Sequence, residues 1–511
     1  MSRFAKLLAA ELEGIDARLI EVETDINTGL HNFTIVGLAD KSLSEAKERV
    51  NAALKNTGVK PPNRDNHRIT INLAPADVKK TGSQYDLAIA LGYLSATDQM
   101  REFDGSRVLL AGELSLDGRL RPITGALNIA RLALRLGLAE IIVPEANAVE
   151  AALVPGVAVI PAQTLAQVIN HLEGKQFITP QPATTAGPVA HEPFAGIADI
   201  KGQAAAKRAL MIAAAGGHNL LMVGPPGTGK TMLAQALTSI LPPVNHDEIV
   251  EITQIYSAAG SLGHLPFIGH RPFRAPHQTA SPVAVVGGGS NPRPGEISLA
   301  HRGVLFLDEL PEFRRDLLES LRQPLESGMT VISRAKSNLT FPARFMLVAA
   351  MNPCPCGYYQ DEEKACICSA NDVLRYQKKV SGPLLDRIDL QITVPRISLE
   401  ELSKKERAVA EQDRMRSQVL SARERQAKRH NGKVRTNSEL SSKQVDELVE
   451  LDPVAAAFVK QMFERSLVSA RGYYRVLKTA QTIADLEASD RITKDHIAEA
   501  FSYRLRDEVN N

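Results

Sequence analysis

Three stretches of this 511-residue chain carry side chains whose types and spacing could do chemistry. The first reads Gly224, Pro225, Pro226, Gly227, Thr228, Gly229, Lys230, Thr231, directly after the apolar run Leu220–Val223. Its glycines let the backbone curl until N–H groups point inward at a β-phosphate. Lys230 reaches the β/γ oxygens, and the Thr231 hydroxyl can hold Mg²⁺. The pattern expects a nucleoside triphosphate, ATP or GTP. The second stretch is GVLFLDEL at 303–310, four apolar residues closed by Asp308 and Glu309. With a phosphate loop upstream, Asp308 is expected on the metal and Glu309 as the base that polarises an attacking water. The third is Cys354, Cys356, Cys366 and Cys368, spaced C-x-C-x9-C-x-C. Four thiolates so close in sequence can surround one tetrahedral Zn²⁺ at about 2.3 Å and leave no open position, so such a site would be structural. Reduced free thiols or a redox role are the alternatives, and the C-x-C spacing departs from the usual C-x2-C knuckle.

These groups need elements to hold them. The run before the phosphate loop reads as a buried strand, and residues 232–240 read as a helix whose N-terminus adds partial positive charge. The 304–307 run reads as a parallel strand that ends in its carboxylates at the carboxyl edge, where ligands sit in open α/β sheets. RFMLVAAM at 344–351 is a third buried strand and delivers Asn352 to the same edge.

The composition suits a globular protein of several domains, with a net charge of +2 and 44% hydrophobic residues. There is no global polyelectrolyte character, so nucleic-acid contacts must come from local patches. No window is apolar enough to span a membrane, the N-terminus is a poor secretory signal, and the clustered cysteines do not form a secreted disulfide framework. A cytoplasmic protein without membrane contact is expected. Four regions follow from the pattern: residues 1–172, an α/β unit; 173–193, a Pro/Ala/Thr-rich linker; 194–395, the nucleotide unit; and 396–511, charged and helical.

Several long phrases resemble known families. NFTIVGLADKSLSEAKERVNAALKNTG, INLAPADVKKTGSQYDLAIALGYL and GELSLDGRLRPITGAL resemble the proteolytic-type domain of Lon and the C-terminal domain of RadA. Lon-type proteases need a serine nucleophile activated by lysine. Here the nucleophile position aligns with Gln84, with Ser83 adjacent, and ALNIAR at 126–131 offers no lysine. The expectation is a non-proteolytic Lon-like α+β domain. Residues 194–395 resemble the AAA+ superfamily. That resemblance implies that Asn352 orients the lytic water, that Arg387 in SGPLLDRIDL is an arginine finger for the neighbouring subunit's nucleotide, and that Arg471 is the second sensor arginine, with Arg475 the runner-up. The insert at 271–303, with an expected hairpin tip at 283–289, and a hairpin at 330–341 with Arg334 and Lys336 at its turn, match the magnesium-chelatase and MCM-helicase branch.

Taken in order, Lon-like domain, linker, AAA+ core with helix-2 insert and pre-sensor hairpin, and C-terminal helical lid resemble the ComM/YifB family over nearly the whole chain. The resemblance implies ATP and Mg²⁺ as cofactors and a homo-hexameric DNA motor that promotes branch migration during recombination in natural transformation. Arg334 and Lys336, projecting into a ring channel, would grip the phosphates of single-stranded or branched DNA without reading sequence. The basic run 423–435, with six Lys/Arg against one Glu, reads as a solvated face or a further DNA contact. Competing readings are a chelatase-type ATPase that remodels a protein partner and an ATP-dependent protease.

Overall fold

The computed structural model describes residues 4–38, 41–64, 66–189, 195–289, 291–333, 338–403, 409–432, 434–464 and 469–504. Arg334 and Lys336 lie outside them.

The first half is built on a seven-stranded mixed sheet in the spatial order Asn32–Val36, His67–Ala74, Asp16–Thr28, Phe4–Glu13, Val108–Leu110, Glu140–Pro144, Ala158–Ala162. Phe4–Glu13 and Asp16–Thr28 form a long antiparallel hairpin from Phe4↔Asp25 to Glu13↔Asp16. Helix Asp86–Ala96 (DLAIALGYLSA) is buried almost all round, as expected of a helix that is apolar on every face.

The second half carries a five-stranded sheet, ordered Phe273–Arg274, Val304–Leu307, Met346–Met351, Leu220–Val223, Leu390–Thr393. All four of its pairings are parallel. Near-continuous Val, Leu, Ala and Met runs are what a sheet covered on both faces demands. Val223 pairs with Met351 and Leu307 with Ala349, so Gly224, Asp308 and Asn352 all emerge at one carboxyl edge. Beyond this sheet the chain is helical. Helices Val409–His430 and Ala470–Leu486 pack against Ala204–Gly216, and one apolar core runs through all three.

The two halves share a core as well. Leu8, Leu127 and Val143 from the first sheet's side pack with Ile249, Ile252 and Tyr256 of helix His246–Ala259. Asn128 Nδ2 donates to Gln254 O at 3.3 Å, and Arg131 Nη1 donates to Gln254 Oε1 at 2.6 Å. Ser257 Oγ donates to the buried carboxylate of Glu150, which also accepts from Leu127 N at 3.0 Å. Sequence alone had not placed these contacts. The Pro/Ala/Thr-rich segment is likewise tied down: Gln181 N donates to Val159 O, Thr184 N to Ala152 O, and Val189 N to Gly269 O. No helix among the described residues is long and apolar enough to cross a membrane.

The hairpin expected at 330–341 is present, Met329–Ser333 pairing antiparallel with Asn338–Pro342. The expected tip at 283–289 is different. Pro282–Val286 is a helical turn capped by Ser281, and only Gly287–Gly288 pairs, with Arg293–Pro294. Pro at the first helical position and a serine cap explain the turn.

Candidate active site

The phosphate loop follows Leu220–Val223 and opens helix Lys230–Ile240. Gly224 can be nothing else, because a β-carbon there would meet Val394 O at 2.2 Å. Gly227 and Gly229 have φ of +80° and +82°, the left-handed region that favours glycine. Lys230 is buried, its Nζ donating to Gly224 O and Pro225 O at 2.8 Å each and to Asn352 Oδ1 at 3.3 Å. Burial pushes its pKa below the ordinary lysine value, and Asp308 and Glu309 oppose that shift. Thr228 Oγ1 closes the loop onto Pro225 O at 3.0 Å.

Thr231 Oγ1 donates to Asp308 Oδ2 at 2.7 Å, so two oxygens suited to a hard cation converge at the helix N-terminus. Asp308 Oδ1 accepts from Glu309 N at 3.0 Å. Glu309 sits at φ +53°, left-handed for a non-glycine residue, which costs about 1–2 kcal/mol. That turn re-aims an exposed carboxylate away from the strand axis. Glu309 and Asn352 line a cavity of about 440 Å³ with Glu312, Arg375, Tyr376 and Lys379. The three strand ends thus bring Lys230, Thr231, Asp308, Glu309 and Asn352 together; Arg375 and Lys379, on or just beyond helix Ala370–Gln377, join them with no motif to announce them.

The two arginines lie elsewhere. Arg387 is 5% exposed, its Nη1 donating to Pro383 O at 2.5 Å and its Nη2 to Glu326. Its buried Nε has no hydrogen-bond partner. Arg471 is exposed at a cleft that also contains Glu326, Asp389 and Arg475. Arg475, the runner-up, is engaged inside the chain: its Nη1 holds Asp389 Oδ1 at 2.9 Å. Asp389 is buried, and against that cost Arg475, His218 and the Asn219 N–H keep its carboxyl far below the ordinary range. No partner of Arg387 or Arg475 belongs to the phosphate loop.

The four cysteines converge. Cys354 Sγ lies 3.4 Å from Cys356 Sγ and 3.7 Å from Cys366 Sγ, Cys356 and Cys366 are 3.6 Å apart, and all four sulfurs fall within 4.8 Å of one another. Ligands on a tetrahedron with bonds of about 2.3 Å sit about 3.8 Å apart, so the cluster can hold a metal ion.

The Lon-like nucleophile position is tied down. Gln84 Nε2 donates to Glu11 Oε2 at 3.0 Å and to Thr81 O at 2.9 Å, and Ser83 Oγ donates to Glu113. Helix Ala126–Arg135 contains no lysine. The basic run is largely spent internally: Arg423 donates to Ala214 O, Arg425 pairs with Asp490 at 2.7 Å, Arg429 with Asp485, and Arg435 with Glu248 at 3.0 Å. Its partners are distant in sequence, which is why it reads as an open charge run.

Comparison with known proteins gives this architecture its place. The family models for magnesium chelatase subunit ChlI match residues 22–147 and 196–402, and that for the ChlI C-terminal region matches 410–504. The chain is 44% identical over 496 residues to the competence protein ComM of Haemophilus influenzae (96% of this chain, 95% of that one). It is 42% identical over 496 residues to the uncharacterized protein YifB of Escherichia coli strain K12 (97% and 96%). The chain belongs to the ComM/YifB family. A further match, 27% over 167 residues, is to the Lon protease of Rhizobium meliloti, covering 31% of this chain and 20% of that protein. The fold of this ComM/YifB-family protein is a Lon-like unit joined to a chelatase-type AAA+ core with a helical C-terminus. AAA+ membership brings ATP and Mg²⁺ with it, and the oxygens of Thr231 and Asp308 beside Lys230 fit such a ligand.

Proposed function

We propose that this protein is an ATP-driven, hexameric DNA motor of the cytoplasm that promotes branch migration when incoming DNA is integrated during natural transformation. The observation that carries the reading is a hydrolysis-competent constellation, Lys230, Thr231, Asp308, Glu309 and Asn352 at one sheet edge, in a chain 44% identical to a competence protein. Mg²⁺, held by Thr231 and Asp308, supplies charge neutralisation at the phosphates. Glu309 takes the proton of the attacking water, and Asn352 orients that water while sharing a hydrogen bond with Lys230. Arg387 acts as a finger on the neighbouring subunit's nucleotide, a reading supported by its partners Pro383 and Glu326, neither of which is in the chain's own phosphate loop, and Arg471 is the second sensor that couples the lid to the nucleotide. Residues 1–172, 173–193, 194–395 and 396–511 serve as Lon-like unit, linker, motor and lid. Arg334 and Lys336 grip the DNA backbone from the turn of the 329–342 hairpin. The four cysteines hold a structural Zn²⁺.

A second reading has its own support, since the family models over all three matched segments are those of magnesium chelatase subunit ChlI: a motor that remodels a protein partner. The steady-state ATPase rate with single-stranded and four-way-junction DNA, at low and high salt, decides between them. Stimulation that falls steeply with salt is expected, because phosphate contacts release counterions. An unchanged rate in an ATP-competent hexamer would move the assignment to a protein client.

A further inference from the structure

The loop that carries the cysteine cluster packs on the phosphate loop of its own chain. Cys354 is two residues after Asn352, and between them Pro353 O accepts from Gln377 Nε2 at 3.0 Å. The chain then turns back: Gly357 N donates to Cys354 O at 3.0 Å, and Gly357 takes φ +86°. A β-carbon at 357 would sit 2.6 Å from Pro226 Cδ and 3.9 Å from Asn352 Cγ. The cysteine loop's backbone is therefore seated against both the phosphate loop and the water-orienting residue. Its far side is moored as well. Asp361, whose side chain is 2% exposed, holds Arg396 Nε at 3.0 Å, and Arg396 and Lys364 both lie over the Tyr358 ring. Arg396 stands two residues after Val394, whose carbonyl abuts Gly224.

We infer that the metal held by Cys354, Cys356, Cys366 and Cys368 is a clamp on the nucleotide site of the same subunit: it fixes the 354–357 turn that positions Pro226 and Asn352. Metal occupancy then sets nucleotide affinity in each subunit separately from ring assembly. The inference rests on the zinc reading above. The physical argument is stiffness. Between its anchors at Gln377, at Tyr359 N on Cys354 Sγ and at the Asp361–Arg396 pair the turn can drift, whereas two closed chelates on one ion remove that freedom, and a misplacement of about 1 Å in such a site costs about a hundredfold in rate. Gly357 is the point of contact because no side chain fits between the turn and Pro226.

The experiment compares the full-length protein with Cys368→Ser, which leaves buried Cys354 intact, and with Gly357→Ala, which leaves every thiol intact. Bound zinc is measured by elemental analysis, fluorescent-ADP affinity by titration, and assembly by sedimentation. Cys368→Ser is expected to lose zinc and roughly tenfold in ADP affinity. Gly357→Ala is expected to keep zinc and lose a similar affinity, because its methyl group must displace Pro226. Both should sediment as the wild type does under the same conditions. Unchanged ADP affinity in a zinc-free Cys368→Ser protein would overturn the clamp and leave the zinc site standing. A wild-type protein that takes up no zinc, even when it is supplied, would remove the zinc reading itself. Lost zinc with normal affinity but lost assembly would place the centre's role at the subunit interface instead.

Discussion

Of the buried lysines in this protein, Lys230 and Lys80 make the closest comparison, and only one of the two belongs to a site. Lys230 and Lys80 are 9% and 0% exposed, and in both burial pushes the ammonium pKa below its ordinary value. Each donates to backbone carbonyls, Lys230 to Gly224 and Pro225, Lys80 to Pro75. Each has acids close by, Asp308 and Glu309 in one case, Asp77 and Glu11 in the other. The difference is where the surrounding groups point. Around Lys230 the Thr231 hydroxyl and the Asp308 carboxylate meet at a helix N-terminus, and Glu309 and Asn352, which shares a hydrogen bond with Lys230, line a cavity. Near Lys80, Glu11 accepts from Thr81 N, Thr81 Oγ1, Gln84 Nε2 and Tyr85 Oη, so its donors point into the protein. A perturbed lysine marks function only when its neighbours leave room for a reacting atom.

The sharpest way to break this contrast is at the acids. Glu309→Gln is expected to keep nucleotide affinity and lose about 10²–10⁴ in turnover, the usual contribution of a general base. Glu11→Gln is expected to leave turnover unchanged. A Glu309→Gln enzyme with normal ATPase activity would remove the base assignment.

The lysines come next. Lys230→Ala deletes a charge-assisted contact to phosphate worth about 1.5–3 kcal/mol, or roughly 10- to 150-fold in ATP affinity. Lys80→Met should bind ATP as the wild type does. Equal losses in the two variants, read by the same fluorescent-nucleotide titration, would mean that Lys80 communicates with the nucleotide site and that the contrast is false.

A smaller effect is expected in stability. In Glu11→Gln the new amide NH₂ faces at least one of four donors, and a buried donor left without an acceptor costs about 1–3 kcal/mol. The first calorimetric transition should fall in temperature while the ATPase rate measured below it does not change. An unshifted transition would show that Glu11's network contributes nothing net.

How much of this was legible depends on how far apart the partners are in sequence. The phosphate loop, Asp308-Glu309 and the strand before Asn352 could be read because each is a local pattern with a local structural consequence. So could the 329–342 hairpin, whose two strands pair from Met329↔Pro342 to Ser333↔Asn338. What could not be read depends on distant partners. The pairing of Arg387 with Glu326, on another helix, has no local signal. The 423–435 run reads as a solvated face or a further DNA contact, and its pairing with Asp485, Asp490 and Glu248 cannot be read locally. The docking of the Lon-like unit through Asn128, Arg131 and Glu150 onto helix His246–Ala259 has no local signal, because its residues are ordinary members of two amphipathic helices and one short one.

The smallest effect separates the lysines by pH. For Lys80 the folded-state pKa lies below the ordinary 10.5, chiefly through burial, with Arg18 adding to the shift and Asp77 and Glu11 opposing it. Between that depressed value and 10.5 the unfolded chain binds more protons than the folded one, so stability rises with pH across the window. Lys80→Met removes the titrating group while keeping similar bulk, and replacing a buried charge in this way is often neutral or stabilising. The unfolding free energy of the first transition should therefore climb with pH below the ordinary lysine value of about 10.5 in the wild type and climb less in Lys80→Met. Parallel slopes would mean that Lys80 keeps an ordinary pKa and that its carbonyl and acid neighbours fully offset its burial. At Lys230 the shift has the same direction but an added consequence. Its charge is needed for phosphate, so raising the pH through its depressed pKa should weaken nucleotide binding while relieving the cost of burying a cation. Opposite pH trends in stability at one lysine and in ligand affinity at the other follow from the direction their neighbours face.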